Sequence, residues 1–211
     1  MINKETKLCI SIAQSPGNIG ATIHNAAYKL LNLNFLYLPL KPKDAESALL
    51  AVRNLNIRGC SVSMPYKQDV IKYLDGVSDK AKRIGAVNTI VNDNGSLTGY
   101  NTDYESMSWS FKKLKIDANA KVLLLGFGGM AKACLAAVED YFNLPANICV
   151  RNLRNKSYKN RYFIDWQDRY NIDPDLIINA TQVDMSPNEL EFPIDVNKYK
   201  RLKYIIDVVS A

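Results

Sequence analysis

Histidine is nearly missing from this chain: His24 stands alone among 211 residues, which excludes any metal centre or proton relay built from several imidazoles. Four cysteines, Cys9, Cys60, Cys134 and Cys149, lack the paired spacing of a metal knuckle. Three of them sit in apolar strand or helix contexts, so buried, reduced thiols are expected rather than disulfides. No metal site is expected. No apolar run is long enough to cross a bilayer, and the opening Met1-Ile-Asn-Lys-Glu-Thr-Lys7 is polar. No membrane partner is therefore expected, and the cytoplasm is the expected compartment. Homopolymeric tracts and short-period repeats are also missing.

What is present is an ordinary globular composition, long enough for one large or two modest domains. The formal net charge of +6 raises the question of nucleic acid. Lysines and arginines are, however, interleaved with acids, and only the stretch from Arg151 to Arg161 is notably basic. A small anionic ligand accounts for that stretch, and no basic-aromatic pattern points to a nucleic-acid partner. His24 reads as a structural residue packing at a helix start.

Hydrophobic periodicity alternates between strands and helices along the chain. Strands are expected at Lys7–Ile12, Asn34–Leu40, Gly59–Ser63, Ala86–Asn92 and Ser96–Tyr100, with helices at Ile23–Leu31, Asp44–Leu55, Lys67–Leu74 and Tyr104–Leu114. Asp93-Asn-Gly95 is a strong hairpin signal. Further strands are expected from Lys121, at Ala146–Val150, at Leu176–Asn179 and at Tyr204–Val209. The pattern implies an α/β chain of two domains, 1–103 and 104–211, with ligands beyond the carboxyl ends of the strands.

Lys121-Val-Leu-Leu-Leu-Gly-Phe-Gly-Gly-Met-Ala-Lys-Ala133 reads as strand, tight turn and helix. Gly126 and Gly128 allow backbone to approach a diphosphate where a Cβ would obstruct it, and Gly129, Met130 and Ala131 open the helix whose amino end faces the phosphate charge. Glycines also close strands for purely structural reasons, and this turn departs from the commonest spacing. The next strand ends at Arg151-Asn-Leu-Arg154. An acidic residue there suits a ribose hydroxyl, whereas Arg151, Asn152 and Arg154 suit a 2′-phosphate, which selects NADP over NAD. Solvated surface arginines are the alternative reading.

Read together, His24-Asn25, Ser61-Val-Ser-Met-Pro-Tyr-Lys67, Ile84-Gly-Ala-Val-Asn-Thr89, Gly99-Tyr-Asn-Thr-Asp103, the glycine turn, Asn179-Ala-Thr181 and Asp207-Val-Val209 make a specific series. In that order, over nearly the whole chain, the sequence resembles the shikimate dehydrogenases, most closely their divergent shikimate dehydrogenase-like branch. The resemblance implies an amino-terminal α/β substrate domain and a Rossmann-like NADP-binding domain. It implies reversible reduction of 3-dehydroshikimate to shikimate, or turnover of a related ring acid such as quinate. The implied partner is that small molecule, and the assembly a monomer or homodimer. It also implies cofactor contacts for Asn179, Ala180 and Thr181, and for Asp79 at the position of a cofactor-facing acid.

Hydride delivery to a ketone leaves negative charge on oxygen, so the site needs a proton donor there and a base in the reverse direction. The resemblance assigns Lys67 as that acid/base and Asp103 as its orienting partner and substrate-hydroxyl acceptor. On spacing alone the two read as a solvated lysine at a helix start and an aspartate capping the next helix. Asn88, Thr102 and Ser63 carry the amide and hydroxyl groups that a polyhydroxylated ring acid requires. Turn and strand-end roles remain open for Asn88 and Ser63.

Departures from the family pattern bear on activity. Its Ser-Xaa-Ser-Pro carboxylate loop here reads Ala13-Gln-Ser15-Pro16, which leaves Ser15 with one hydroxyl fewer beside it. Ser210 stands where the family has tyrosine, and the sequence stops at Ala211 before the family's glutamine-bearing helix, so the expectation is either a fragment of a longer chain or a protein without that part of the cleft. A weak or inactive dinucleotide-binding regulator or remnant of the same fold is the alternative expectation.

Overall fold

The computed structural model describes residues 2–153, 162–181 and 193–208. Contacts divide the chain into two compact units, Met1–Thr102 and Asp103–Ala211. Each is an α/β layer structure with its own sheet.

The first unit runs β1 (Lys7–Ile12), α1 (Ile19–Leu30), β2 (Phe35–Leu40), α2 (Ala45–Asn54), β3 (Gly59–Val62), a 3-10 helix at Asp69–Tyr73, β4 (Gly76–Val77), α3 (Asp79–Ile84), β5 (Thr89–Asp93) and β6 (Ser96–Tyr100). Its sheet order is β2-β1-β3-β5-β6-β4. β1 lies parallel to β2 and β3, and β5 is antiparallel to β3 and β6. Alternation puts Ile10, Ile12, Cys60 and Val62 into one core with Ala45, Ala48, Leu49 and Val52 of α2. Asp44 starts α2 by accepting the Ser47 N–H at 2.8 Å. The hairpin forms where expected, with Asn94 at φ 52° and Gly95 at φ 94°.

Three expectations for this unit need correction. α1 starts at Ile19 rather than Ile23, because Gly20 packs over the Tyr37 ring and so belongs to the helix, not the loop. The segment Lys67–Leu74 yields only the 3-10 helix, since Val70 is its one buried anchor and a short segment is not held helical without packing. β5 begins at Thr89 rather than Ala86, because Val87 donates to the Lys67 carbonyl and Asn88 to that of Tyr100.

The second unit runs α4 (Asp103–Lys113), β7 (Val122–Leu125), α5 (Gly129–Tyr141), β8 (Asn147–Val150), β9 (Tyr162–Asp165), a 3-10 helix at Trp166–Asn171, β10 (Leu176–Asn179), a 3-10 turn at Val196–Lys198 and β11 (Tyr204–Asp207). All five strands are parallel, in the order β11-β10-β7-β8-β9. β7 and β10 are buried along their whole length, which accounts for their unbroken apolar sequences. Val122, Leu124, Ile148 and Ile178 pack with α4 and α5 through Phe111, Cys134 and Val138. Leu123, Leu125, Cys149 and Ile177 face Ile194 and Tyr199 on the other side.

The last strand forms within the range expected, over Tyr204–Asp207. β11 alternates half-buried and exposed residues, because it lies at the sheet margin and packs only one face on the core. The four cysteines are free thiols, with Cys60, Cys134 and Cys149 buried and Cys9 half-buried. Among the described residues no helix is long and apolar enough to cross a membrane.

Candidate active site

In the second unit the chemistry gathers at the carboxyl ends of β7, β8 and β10. Gly126 leaves β7 at φ +96°, and its N–H donates to the Cys149 carbonyl at 2.9 Å. A Cβ at Gly126 would come within 2.8 Å of the Ala180 carbonyl oxygen, so both conformation and space demand glycine. Gly128 differs. It precedes the first turn of α5 with extended backbone, and a Cβ there would meet nothing within 4 Å. Glycine at 128 is thus not required by the fold, and its openness leaves room for a ligand against the helix end.

The helix end itself is unshielded. α5 has no side-chain cap and no acidic residue in its first turn, so its amide groups and positive dipole end keep their affinity for an anion. Gly129 and Met130 are half-buried there, whereas Ala131 is fully buried in the core, where its small methyl lets α5 close on the sheet. The residues present therefore fit a pyrophosphate.

Arg151 and Asn152 are exposed immediately past β8, and Arg154 lies outside the described residues. At the end of β10, Asn179 is fully buried. Its Oδ1 accepts from the Thr181 N–H at 3.1 Å and the Thr181 hydroxyl at 2.7 Å, while its Nδ2 donates to Asp207 at 3.2 Å. Asn179 thereby fixes the Ala180-Thr181 turn that Gly126 packs against.

In the first unit, β1, β3 and the β5–β6 pair bring a polar group together at one end of the sheet. The Ser15 loop is tied to the Ser63 loop by Gln14 N–H donating to the Met64 carbonyl at 3.0 Å. Val62 donates to the Asn88 carbonyl at 2.8 Å, and Val87 to that of Lys67 at 2.7 Å. Ser15 and Ser63 are exposed, and Lys67 and Asn88 half-buried. The Asn88 Oδ1 accepts from the Thr102 N–H at 3.0 Å and the Thr89 hydroxyl at 2.9 Å, and its Nδ2 donates to the Thr102 hydroxyl at 3.0 Å.

Asn101 was not singled out from the sequence, yet it is 4% exposed and its amide donates to the Ala86 carbonyl at 2.9 Å. Asn88 and Asn101 between them fix the backbone that delivers Asp103 as the first residue of α4. The clue in the sequence was a polar residue between two strand-end positions and an acid. Asp79 opens α3 with its carboxylate in solvent, 3.9 Å from the Lys82 amine. Among the buried thiols, burial pushes those of Cys60 and Cys149 up to about 12, which makes them inert as nucleophiles near neutral pH.

Residues 10–90 match the family model for the shikimate dehydrogenase substrate binding domain. A shikimate dehydrogenase-like protein of Haemophilus influenzae is 40% identical over 196 residues, covering 92% of this chain and 72% of that protein. A shikimate dehydrogenase (NADP(+)) of Dictyoglomus turgidum is 31% identical over 224 residues, covering 99% and 80% of the two chains. Among solved structures, shikimate 5-dehydrogenase of Listeria monocytogenes, in complex with shikimate and NAD, superposes with a TM-score of 0.80 at 30% identity, over 99% of this chain and 80% of that one.

Proposed function

The chain belongs to the shikimate dehydrogenase family, and on that premise we propose that it is an NADP-dependent oxidoreductase interconverting 3-dehydroshikimate and shikimate, or a related ring acid such as quinate. The observation that carries this reading is the glycine pair: Gly126 is imposed by the fold, while Gly128 is left open beside an uncapped helix end. Glycine suits the helix N-cap at 128 on structural grounds too, and the open space beside it is what leaves room for a ligand.

In this reading the second unit holds the cofactor. Gly126, Gly128, Gly129 and Met130 line the diphosphate with backbone, and Asn179 holds Ala180 and Thr181 in place. The Dictyoglomus relative is named for NADP(+) while the Listeria structure holds NAD, and here Arg151 and Asn152, with Arg154 beyond the described residues, favour the 2′-phosphate. The cofactor supplies or takes back the hydride.

The first unit recognises the ring acid. Ser15 and Ser63 offer hydroxyls to the carboxylate, and Asn88 and Thr102 read ring hydroxyls. Lys67 donates a proton to the nascent alkoxide and removes it in reverse, and Asp103 is assigned to accept from a substrate hydroxyl. The weaker-enzyme reading has a specific support in Ala13, 8% exposed, where the family's loop carries a second hydroxyl.

The test is NADP titration followed by turnover of shikimate and quinate, read in the NADPH absorbance band. Turnover lost in Lys67→Ala with cofactor affinity retained is the expected result. Activity that survives this substitution overturns the assignment of Lys67, and tight NADP binding without turnover of any ring acid selects the regulator reading.

A further inference from the structure

The proposed substrate is an anion, yet the Ser15 and Ser63 hydroxyls set out for its carboxylate are neutral, and Lys67 is committed to the proton. A second cation stands at the same end of the first sheet. β1 and β2 run parallel with Ile12 opposite Leu40, and the ladder continues one step, since the Ala13 N–H donates to the Leu40 carbonyl at 3.3 Å. Lys41 therefore lies beside Ala13. Side chains alternate along a strand, so Lys41 shares the face of Tyr37 and Pro39, the face on which the His24 ring of α1 stacks. The Ser15 loop leads to the first turn of α1 on that same face.

Tyr66 fixes the position from another side. Its hydroxyl donates to the Pro42 carbonyl at 3.3 Å and its N–H to the Ser63 carbonyl at 3.0 Å, which ties the Lys41-Pro42 step to the stretch that carries Ser63 and Lys67. Lys41 is exposed, and among the described residues its amine has no hydrogen bond or ion pair. Lys43, two residues on, already acts on the Asp44 carboxylate. Ala13, beside Lys41, is a buried methyl that offers no charge to it. Lys41 thus brings an uncompensated cation to the end of the sheet where the Ser15 and Ser63 loops meet.

We propose that Lys41 is a specificity-determining residue: its ammonium takes the ring carboxylate together with the Ser15 hydroxyl, so that the site admits ring acids and discriminates against neutral ring polyols. Its four-carbon stem exceeds the spacing of about 4.8 Å between neighbouring strands, so the amine reaches the loop that leaves β1. A charge-assisted contact also offsets the hydroxyl that Ala13 lacks. The carboxylate takes no part in hydride transfer, so the contact is the same before and during the reaction and acts on KM rather than kcat. The inference rests on the reading of the first unit as the ring-acid site.

Initial rates with shikimate at saturating NADP are the test. Lys41→Gln should raise KM for shikimate about tenfold, with kcat within about twofold and NADP affinity unchanged. Lys43→Gln removes the same formal charge and should keep the parental KM. The methyl ester of shikimate has no carboxylate charge, so the parent and Lys41→Gln should handle it alike. Added salt should raise KM for shikimate in the parent more than in Lys41→Gln. Should shikimate bind without turnover, the same comparison is read in Kd by calorimetry. A parental value in Lys41→Gln, an equal loss in Lys43→Gln, or an equal loss on the ester overturns the role of Lys41 and leaves the ring-acid reading standing. A parent chain that binds neither shikimate nor quinate overturns that reading, and this inference with it.

Discussion

The side-chain amide of Asn25 binds the peptide of Tyr37 twice, donating to its carbonyl at 2.9 Å and accepting from its N–H at 2.8 Å. A residue on α1 thus completes the outer rung of the margin strand β2, while the neighbouring His24 ring stacks on the Tyr37 ring at 4.5 Å. Asn25→Ala frees both backbone groups and should cost about 1–2 kcal/mol in urea unfolding. Asn25→Asp keeps the acceptor but sets a carboxylate against a carbonyl, so it should not recover the loss. A melt unchanged in Asn25→Ala would show that the paired bonds contribute nothing.

The glycine turn makes two opposite forecasts within three positions. Gly126→Ala must hold φ +96° and press a methyl to 2.8 Å from the Ala180 carbonyl, so it should destabilise the second unit by about 2 kcal/mol or more and lose NADP binding with it. Gly128→Ala meets no neighbour but puts alanine at the N-cap of α5, so it should cost no more than about 1 kcal/mol while NADP affinity falls. Isothermal titration beside thermal melts separates the two. If Gly128→Ala bound NADP as tightly as the parent, the openness at this position would have another purpose.

How far the sequence could be read depends on whether the deciding interaction was local. The Asn94-Gly95 turn and the unbroken apolar β7 depend on neighbouring residues, and both were legible. α3 and β9 went unread. α3 is six residues closed by Ser78 and by Gly85 in the left-handed region, too short for periodicity to register. β9 exists because it adds to β8, a decision taken outside its own residues.

The site divides in the same way. Glycines, lysine and aspartates announce chemistry by type, but nothing in the string says that Asn88 spends its carbonyl on Thr102 and Thr89, or that Asn101 is buried against Ala86.

Asn88 carries two tasks that substitution can separate. Its Oδ1 orders the Thr102 backbone and the Thr89 hydroxyl, an acceptor role that a carboxylate retains. Asn88→Asp should therefore melt close to the parent, whereas Asn88→Ala should lose about 1–2 kcal/mol. If the amide also donates to substrate, Asn88→Asp should raise KM for the ring acid at least about tenfold with NADP affinity unchanged. Parental KM in that variant would confine Asn88 to scaffolding.

Thiol reactivity follows burial. With their thiols pushed up to about 12, Cys60 and Cys149 are thiolate to only about one part in ten thousand at pH 8. Alkylation at pH 8, mapped by mass spectrometry, should spare both in the folded chain and modify both in denaturant. Rapid labelling of Cys60 under native conditions would show that β3 opens far more often than its packing implies.

Asp175 should make the second unit sensitive to acid. Burial alone would raise its carboxyl, but the Lys121 N–H at 3.0 Å, Arg201 at 3.1 Å and Lys203 at 3.7 Å outweigh it, and hold the group below the ordinary carboxylate range. Its folded value lies under the unfolded value of about 3.9, so the stabilisation is complete above that pH and lost as pH falls through the folded value. Asp175→Asn keeps the shape and an acceptor for Lys121 but removes the charge that Arg201 and Lys203 face. The variant should be less stable by about 2 kcal/mol at neutral pH, with the gap constant down to about pH 4 and closing below it. A gap that stayed constant through the acid range would show that the loss comes from packing, with the Asp175 charge contributing nothing.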